Sequence, residues 1–189
     1  MSTELSSEER NVLLRLARQA IGHSVAGQPL PRLDARLLSP ALQQEGATFV
    51  TLTIDGELRG CIGALEAYQP LAEDVCEHAA AAALQDYRFP PVSPDEVDRL
   101  KIEISRLTPP QRLEYTTPED LLHRLRPGID GVILRYGHHR ATFLPQVWEK
   151  IPDPAEFLDH LCAKMGADPS LWRYRKMDAL VYQVEEFHE

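Results

Sequence analysis

Apolar residues recur at Leu13, Leu16, Ala17, Ala20 and Ile21, the one-face spacing of an amphipathic helix. Ser6 followed by Glu9 has capping-box spacing and predicts where that helix opens. Gly27, Pro29 and Pro31 predict its end. Residues 28–46 carry three prolines and read as a surface connection with a short helix at 34–38. The period then changes. Residues 47–54, rich in Val, Thr and Phe, predict a strand; Asp55-Gly56 is a turn signal; residues 57–62 return as the second strand of a hairpin.

Register decides which side chains of that hairpin share a face. A two-residue loop alone sets Leu52 opposite Arg59 and Val50 opposite Cys61. One extra residue, from a bulge or a longer loop, sets Leu52 opposite Gly60 and Val50 opposite Ile62. The second register gathers Val50, Leu52, Ile54, Leu58 and Ile62 on an apolar face, leaving Thr51, Thr53, Arg59 and Cys61 on the other. A buried face specifies register strongly, so the second is expected, with Arg59 and Cys61 in reach of each other.

Downstream, Pro70 suits the first turn of a helix to about residue 85, with a small face of Ala72, Cys76, Ala79, Ala80 and Ala83. Phe89-Pro90-Pro91 breaks the chain, and residues 94–97 predict one helical turn. Residues 100–107 alternate as a half-buried strand, Ile102 and Ile104 against Glu103 and Ser105. Thr117 before Pro118 predicts a helix start, and Pro127-Gly128 a stop after residue 125. Residues 131–136 and 140–144 read as a second hairpin around Gly137-His138-His139. Short helices follow at 145–150 and 154–165, the latter turning Phe157, Leu158, Leu161, Cys162 and Met165 inward and ending at Gly166. A strand over 179–187 closes the chain. Hairpins mixed with helices, without strict alternation, predict an α+β fold: an antiparallel sheet flanked by helices.

Composition changes this picture little. At 189 residues the chain can bury a core without disulfides, and three cysteines show no disulfide-framework spacing. The formal net charge of −9 argues against a nucleic-acid or anionic-membrane partner. No apolar run reaches the ~18 residues of a membrane span. The polar, acidic N-terminus lacks the form of a signal peptide, and a cytoplasmic protein with free thiols is expected.

The chemistry concentrates at Leu58-Arg59-Gly60-Cys61-Ile62-Gly63. A cationic neighbour favours the thiolate, the reactive form of cysteine, and glycines let other groups approach the backbone. Cys61 is the candidate for nucleophilic attack, metal ligation or small-ligand binding; its alternative is a small strand residue under a helix. Arg59 would activate Cys61 or clamp a carboxylate or phosphate; its alternative is a structural ion pair with Glu57, Glu66 or Glu103. Glu103 would serve as a base or as the Arg59 partner, against a solvated sheet face. His139, in the predicted hairpin turn, would be the base for the thiol. Gly60 and Gly63 are candidate ligand-binding positions. Cys76 and Cys162 read as core. No Ser-His-Asp pattern, P-loop, dinucleotide fingerprint or zincin motif is present, no metal site is expected, and no cofactor is named by the residues.

The hexapeptide, with other blocks, resembles the AMMECR domain family, named for the Alport syndrome, midface hypoplasia and elliptocytosis chromosomal region. It matches that family's hallmark in full. Arg88-Phe89-Pro90-Pro91 resembles a second block, with Tyr87 separating it from Asp86. Ile102-Glu103-Ile104-Ser105, residues 128–132 and residues 141–148 resemble three more, although Ala141 stands where the family usually has Gly. The resemblance covers roughly residues 10–187 and implies one domain over residues 1–189. It implies two unequal lobes in one compact unit around an antiparallel sheet, and a cleft holding the hexapeptide. It implies no established reaction. Prokaryotic members often sit beside Memo-like metal-site proteins and radical S-adenosylmethionine proteins, which makes these the expected partners, and a non-catalytic interaction module the alternative to thiol-dependent catalysis.

Overall fold

The computed structural model describes residues 4–189. The chain forms two units, one of the residues up to Thr108 with Glu185–Glu189, the other Pro109–Val184.

The first unit opens with helix α1, Ser7–Val25. The predicted capping box is present: the Glu9 N–H donates to Ser6 Oγ at 3.2 Å, and the Ser6 N–H to Glu9 Oε2 at 2.8 Å. Leu13, Leu14, Ala17, Ala20 and Ile21 are buried on one side of the helix. A 3-10 turn at Ala35–Leu37 and the short helix α2, Pro40–Gln43, occupy the proline-rich connection. Strands β1 (Glu45–Ile54), β2 (Glu57–Gly63) and β3 (Gln69–Pro70) follow, then helix α3 (Leu71–Leu84), a 3-10 turn at Pro94–Arg99 and strand β4 (Lys101–Leu107).

β1 lies between β2 and β4, antiparallel to both. Val50 and Leu52 of β1 and Ile102 and Ile104 of β4 join the buried residues of α1 and α3 in one core. Each such side chain contributes about 1.5–3 kcal/mol by leaving water. The alanines of α3 present only methyl groups, and Gly60 of β2 presents no side chain, so helix and strand backbones come close.

The second unit contains β5 (Gln111–Arg112), α4 (Pro118–Arg124), β6 (Gly131–Tyr136), β7 (His139–Phe143), a 3-10 turn at Pro145–Glu149, α5 (Pro154–Lys164), α6 (Leu171–Tyr174) and β8 (Asp178–Tyr182). Its sheet has the order β5-β8-β6-β7. Its core centres on Trp148, stacked on Phe157 with ring centroids 3.7 Å apart, its indole N–H donating to the Asp130 carbonyl at 2.7 Å. His139 is not in the hairpin turn, as its sequence context suggests. It opens β7 opposite Tyr136, because Gly137 at φ +58° lets Gly137 and His138 close the turn by themselves.

The last strand also departs from expectation. Residues 178–188 form two strands, β8 and β9 (Val184–His188), interrupted at Gln183. β8 belongs to the second sheet, while β9 lies beside β4 in the first. Ala179 and Phe187 are buried in separate cores, so one apolar alternation serves two sheets. The architecture is α+β, helices with two antiparallel sheets. Among the described residues no helix is long and apolar enough to cross a membrane.

Candidate functional site

The β1–β2 hairpin turns at Asp55 and Gly56, whose φ values of +53° and +84° make the tight turn that suits twisted strands. Ile54 then faces Glu57 and Thr53 faces Leu58, but the next pair is Leu52 with Gly60. Arg59 is the extra residue of a bulge. Beyond it the expected register holds, with Val50 opposite Ile62 and Thr51 opposite Cys61. Leu58, expected on the apolar face, instead pairs with Thr53 and is 41% exposed, because the bulge shifts the alternation by one residue.

The bulge also redirects Arg59. Its Nε and Nη2 donate to the two Glu96 carboxylate oxygens at 2.8 and 2.9 Å, and Nη1 donates to the Pro90 carbonyl at 2.8 Å. It makes no hydrogen bond or ion pair with Cys61, so the expected Arg59–Cys61 contact is corrected: the guanidinium ties the hairpin to the chain that follows α3. Arg59 holds the Glu96 carboxyl down at about 2, helped by the Ser93 N–H. Gly60 and Gly63 also answer to packing. A Cβ on Gly60 would lie 2.1 Å from the Ala82 carbonyl oxygen of α3, and one on Gly63 would lie 2.3 Å from the Thr48 carbonyl oxygen.

Cys61 is half-buried on β2, an edge strand. Its backbone N–H and carbonyl point outward from the sheet and are met by side chains. The N–H donates to Asp86 Oδ2 at 2.8 Å, and Arg88 Nη2 approaches the carbonyl at 3.4 Å. Arg88 also donates to both Asp86 oxygens, from Nε at 2.9 Å and Nη2 at 2.7 Å. Arg88 and the Cys61 N–H hold the buried Asp86 carboxyl well below the usual carboxylate range, against the effect of burial. With these backbone groups turned outward, Cys61 and Thr51 form a non-hydrogen-bonded pair, the pairing that brings side chains closer. The Thr51 hydroxyl is 3.3 Å from Cys61 Sγ and donates to it.

Glu103 faces Thr51 from the other side, in β4. Cys61, Thr51 and Glu103 thus form one row across β2, β1 and β4, all half-buried. His139 belongs to the second unit, where its Nδ1 hydrogen-bonds the Met165 carbonyl at 3.0 Å. Cys76 and Cys162 are buried, and burial pushes both thiols up, Cys76 to about 12. Among the described residues no group of three His, Cys, Asp or Glu side chains is placed to hold a metal ion. A cavity of about 270 Å³ lies by Ser6, Val12 and Leu42, and one of about 140 Å³ by Leu38 and Pro70; neither is lined by the hexapeptide.

Thr51, Asp86 and Arg88 are the site residues that reading the sequence missed. Thr51 follows from the register already expected. Asp86 and Arg88 carry a local signal, an aspartate whose side chain accepts the N–H two residues on, at 3.1 Å.

Known proteins extend the comparison over the whole chain. The AMMECR1 family model matches residues 14–187. A protein of Methanothermobacter thermautotrophicus is 40% identical over 98% of this chain and 96% of its own length. One of Methanopyrus kandleri is 38% identical over 100% and 92%. The crystal structure of an uncharacterised Pyrococcus horikoshii protein superposes with a TM-score of 0.77 at 34% identity, covering 98% of this chain and 93% of that one. With its hexapeptide on the bulged edge hairpin, the chain belongs to the AMMECR1 family.

Proposed function

We propose that the face of the first sheet carrying Cys61 binds a small molecule or peptide and that Cys61 reacts with it as a nucleophile. The observation that carries this reading is a half-exposed thiol with a hydroxyl donor aimed at its sulfur, on a backbone clamped by Asp86 and Arg88. Clamping matters because a reacting atom held in place gains in rate through pre-organisation. Arg88, rather than Arg59, is the cation beside Cys61. The remaining hexapeptide residues build the scaffold: Arg59 anchors the hairpin, and Gly60 and Gly63 let it lie against neighbouring backbone.

Acyl transfer from p-nitrophenyl acetate tests the reading. The sulfur–carbon bond forms as the ester bond breaks, and nitrophenol leaves with the thiol proton. The expected result is one acetyl group per chain, on Cys61, absent in Cys61→Ser. Folded protein that stays unacetylated while a small thiol reacts contradicts it.

One observation favours a second reading, a docking module for a partner enzyme. Tyr87, between the two clamping residues, is 95% exposed. A partner complex that survives Cys61→Ser and is lost in Tyr87→Asp supports docking; the reverse pattern supports the thiol.

A further inference from the structure

Glu103 is a half-buried carboxylate with no partner on the face that carries Cys61. Neighbouring acids are committed: Glu96 to Arg59, Asp86 to Arg88, and Glu185 to Arg10 and Arg106. Among the described residues Glu103 makes no hydrogen bond or ion pair, and Lys101, two residues along the same strand, does not reach it. The ladder fixes its place, because Thr51 is opposite both Cys61 and Glu103.

An unpaired carboxylate in this row has two uses, as a base for the thiol or as an anchor for a cation. No hydrogen bond joins Glu103 to Cys61, whose sulfur accepts from the Thr51 hydroxyl of the strand between them, so the geometry opposes direct proton transfer from the thiol to Glu103. The anchor meets no such opposition, and a half-buried carboxylate attracts a cation more strongly than an exposed one. The guanidinium of Arg88, beside Cys61, does not compete, since its charge is matched by Asp86 through two hydrogen bonds.

Spacing sets the size of the ligand. Cys61 and Glu103 are two strand spacings apart, roughly 10 Å between backbones. Contacts of about 3 Å at each end leave roughly 4–5 Å between the ligand's cation and its reacting carbon.

We infer that the site selects cationic substrates: carbonyl compounds with a primary ammonium or guanidinium group a few bonds from the electrophilic carbon. Glu103 holds the cation and Cys61 meets the carbon. The inference rests on the reading of Cys61 as a reactive thiol.

Charged thiol reagents test the inference separately from that reading. Rates of Cys61 modification are measured by peptide mass spectrometry with three methanethiosulfonates: neutral methyl, cationic aminoethyl and anionic sulfonatoethyl. Wild type is compared with Glu103→Gln, and with Glu119→Gln, which removes the same charge from an exposed site in α4. The cationic-to-anionic rate ratio, normalised to a small free thiol, should be about tenfold or more in wild type. It should persist in Glu119→Gln, collapse in Glu103→Gln and invert in Glu103→Lys, each ratio being read beside the neutral reagent's rate in the same variant. An unchanged ratio in Glu103→Gln overturns the inference and leaves the thiol reading standing. Failure of the neutral reagent to modify Cys61 in folded wild type overturns both.

Discussion

Asp86 holds the Cys61 backbone N–H at 2.8 Å, at an edge where, among the described residues, no further strand pairs. A buried carboxylate thus does for one residue what a neighbouring strand would do for several. It satisfies the edge and blocks strand addition there. Asp86→Ala removes the acceptor from that N–H and the partner from Arg88. Loss of a charged hydrogen-bond acceptor predicts destabilisation of about 1.5–3 kcal/mol, read by urea unfolding.

The same contact predicts a dependence on pH. The Asp86 carboxyl is depressed in the folded state, chiefly by Arg88. Its contribution is therefore fully present above the ordinary aspartate value of about 3.9 and is lost as pH falls below it. Glu96 behaves alike, with its loss running from its ordinary 4.5 down to about 2. Acid unfolding followed by circular dichroism should show wild type losing stability below about pH 4.5, more steeply than Asp86→Ala.

Arg59→Lys separates scaffold from chemistry. Lysine cannot reproduce the two-point contact with Glu96 while also reaching the Pro90 carbonyl. The expected outcome is a stability loss of about 1–2 kcal/mol with Cys61 alkylation in the folded state unchanged. A large fall in alkylation rate at constant stability would return Arg59 to the reacting site.

Gly60→Ala tests the close approach of β2 to α3. The new Cβ would meet the Ala82 carbonyl oxygen at 2.1 Å, which is backbone and cannot swing aside. Destabilisation of about 1–3 kcal/mol is expected, against little change for an alanine at exposed Leu37.

Behind the site, Asp74 is fully buried, and its Oδ2 accepts from the Thr48 hydroxyl at 2.6 Å and contacts His78 Nδ1 at 3.1 Å. Its Oδ1 has no partner. With one oxygen already unmet, Thr48→Val should cost about 1–3 kcal/mol by thermal or urea unfolding, since a buried carboxylate loses a donor.

Much of the fold could be read in the sequence because its signals are local. Ser6 and Glu9 fix the start of α1, Asp55-Gly56 fixes a turn, and the β1 alternation fixes the Val50–Ile62 register. The direction of Arg59 could not be read the same way. A bulge at Arg59 and a longer loop produce one downstream register but aim that side chain differently, and tertiary partners at Glu96 and Pro90 choose between them. The division of the last strand at Gln183 is hidden for a related reason. Alternation continues through it, and only membership of separate cores ends β8 and begins β9. The local turn at Asp86 is legible, but its link to Cys61 is not, because that partner is a backbone N–H 25 residues away, which leaves no mark on either stretch of sequence.

The reactivity of Cys61 is tested most directly by the pH dependence of iodoacetamide alkylation, resolved by peptide mass spectrometry across Cys61, Cys76 and Cys162. Cys61 alone should be alkylated in the folded protein near neutral pH. Cys76 and Cys162, buried and pushed up, should react only on unfolding. A Cys61 as protected as the other two until the protein unfolds would contradict a reactive thiol at this position and leave the hexapeptide as scaffold alone.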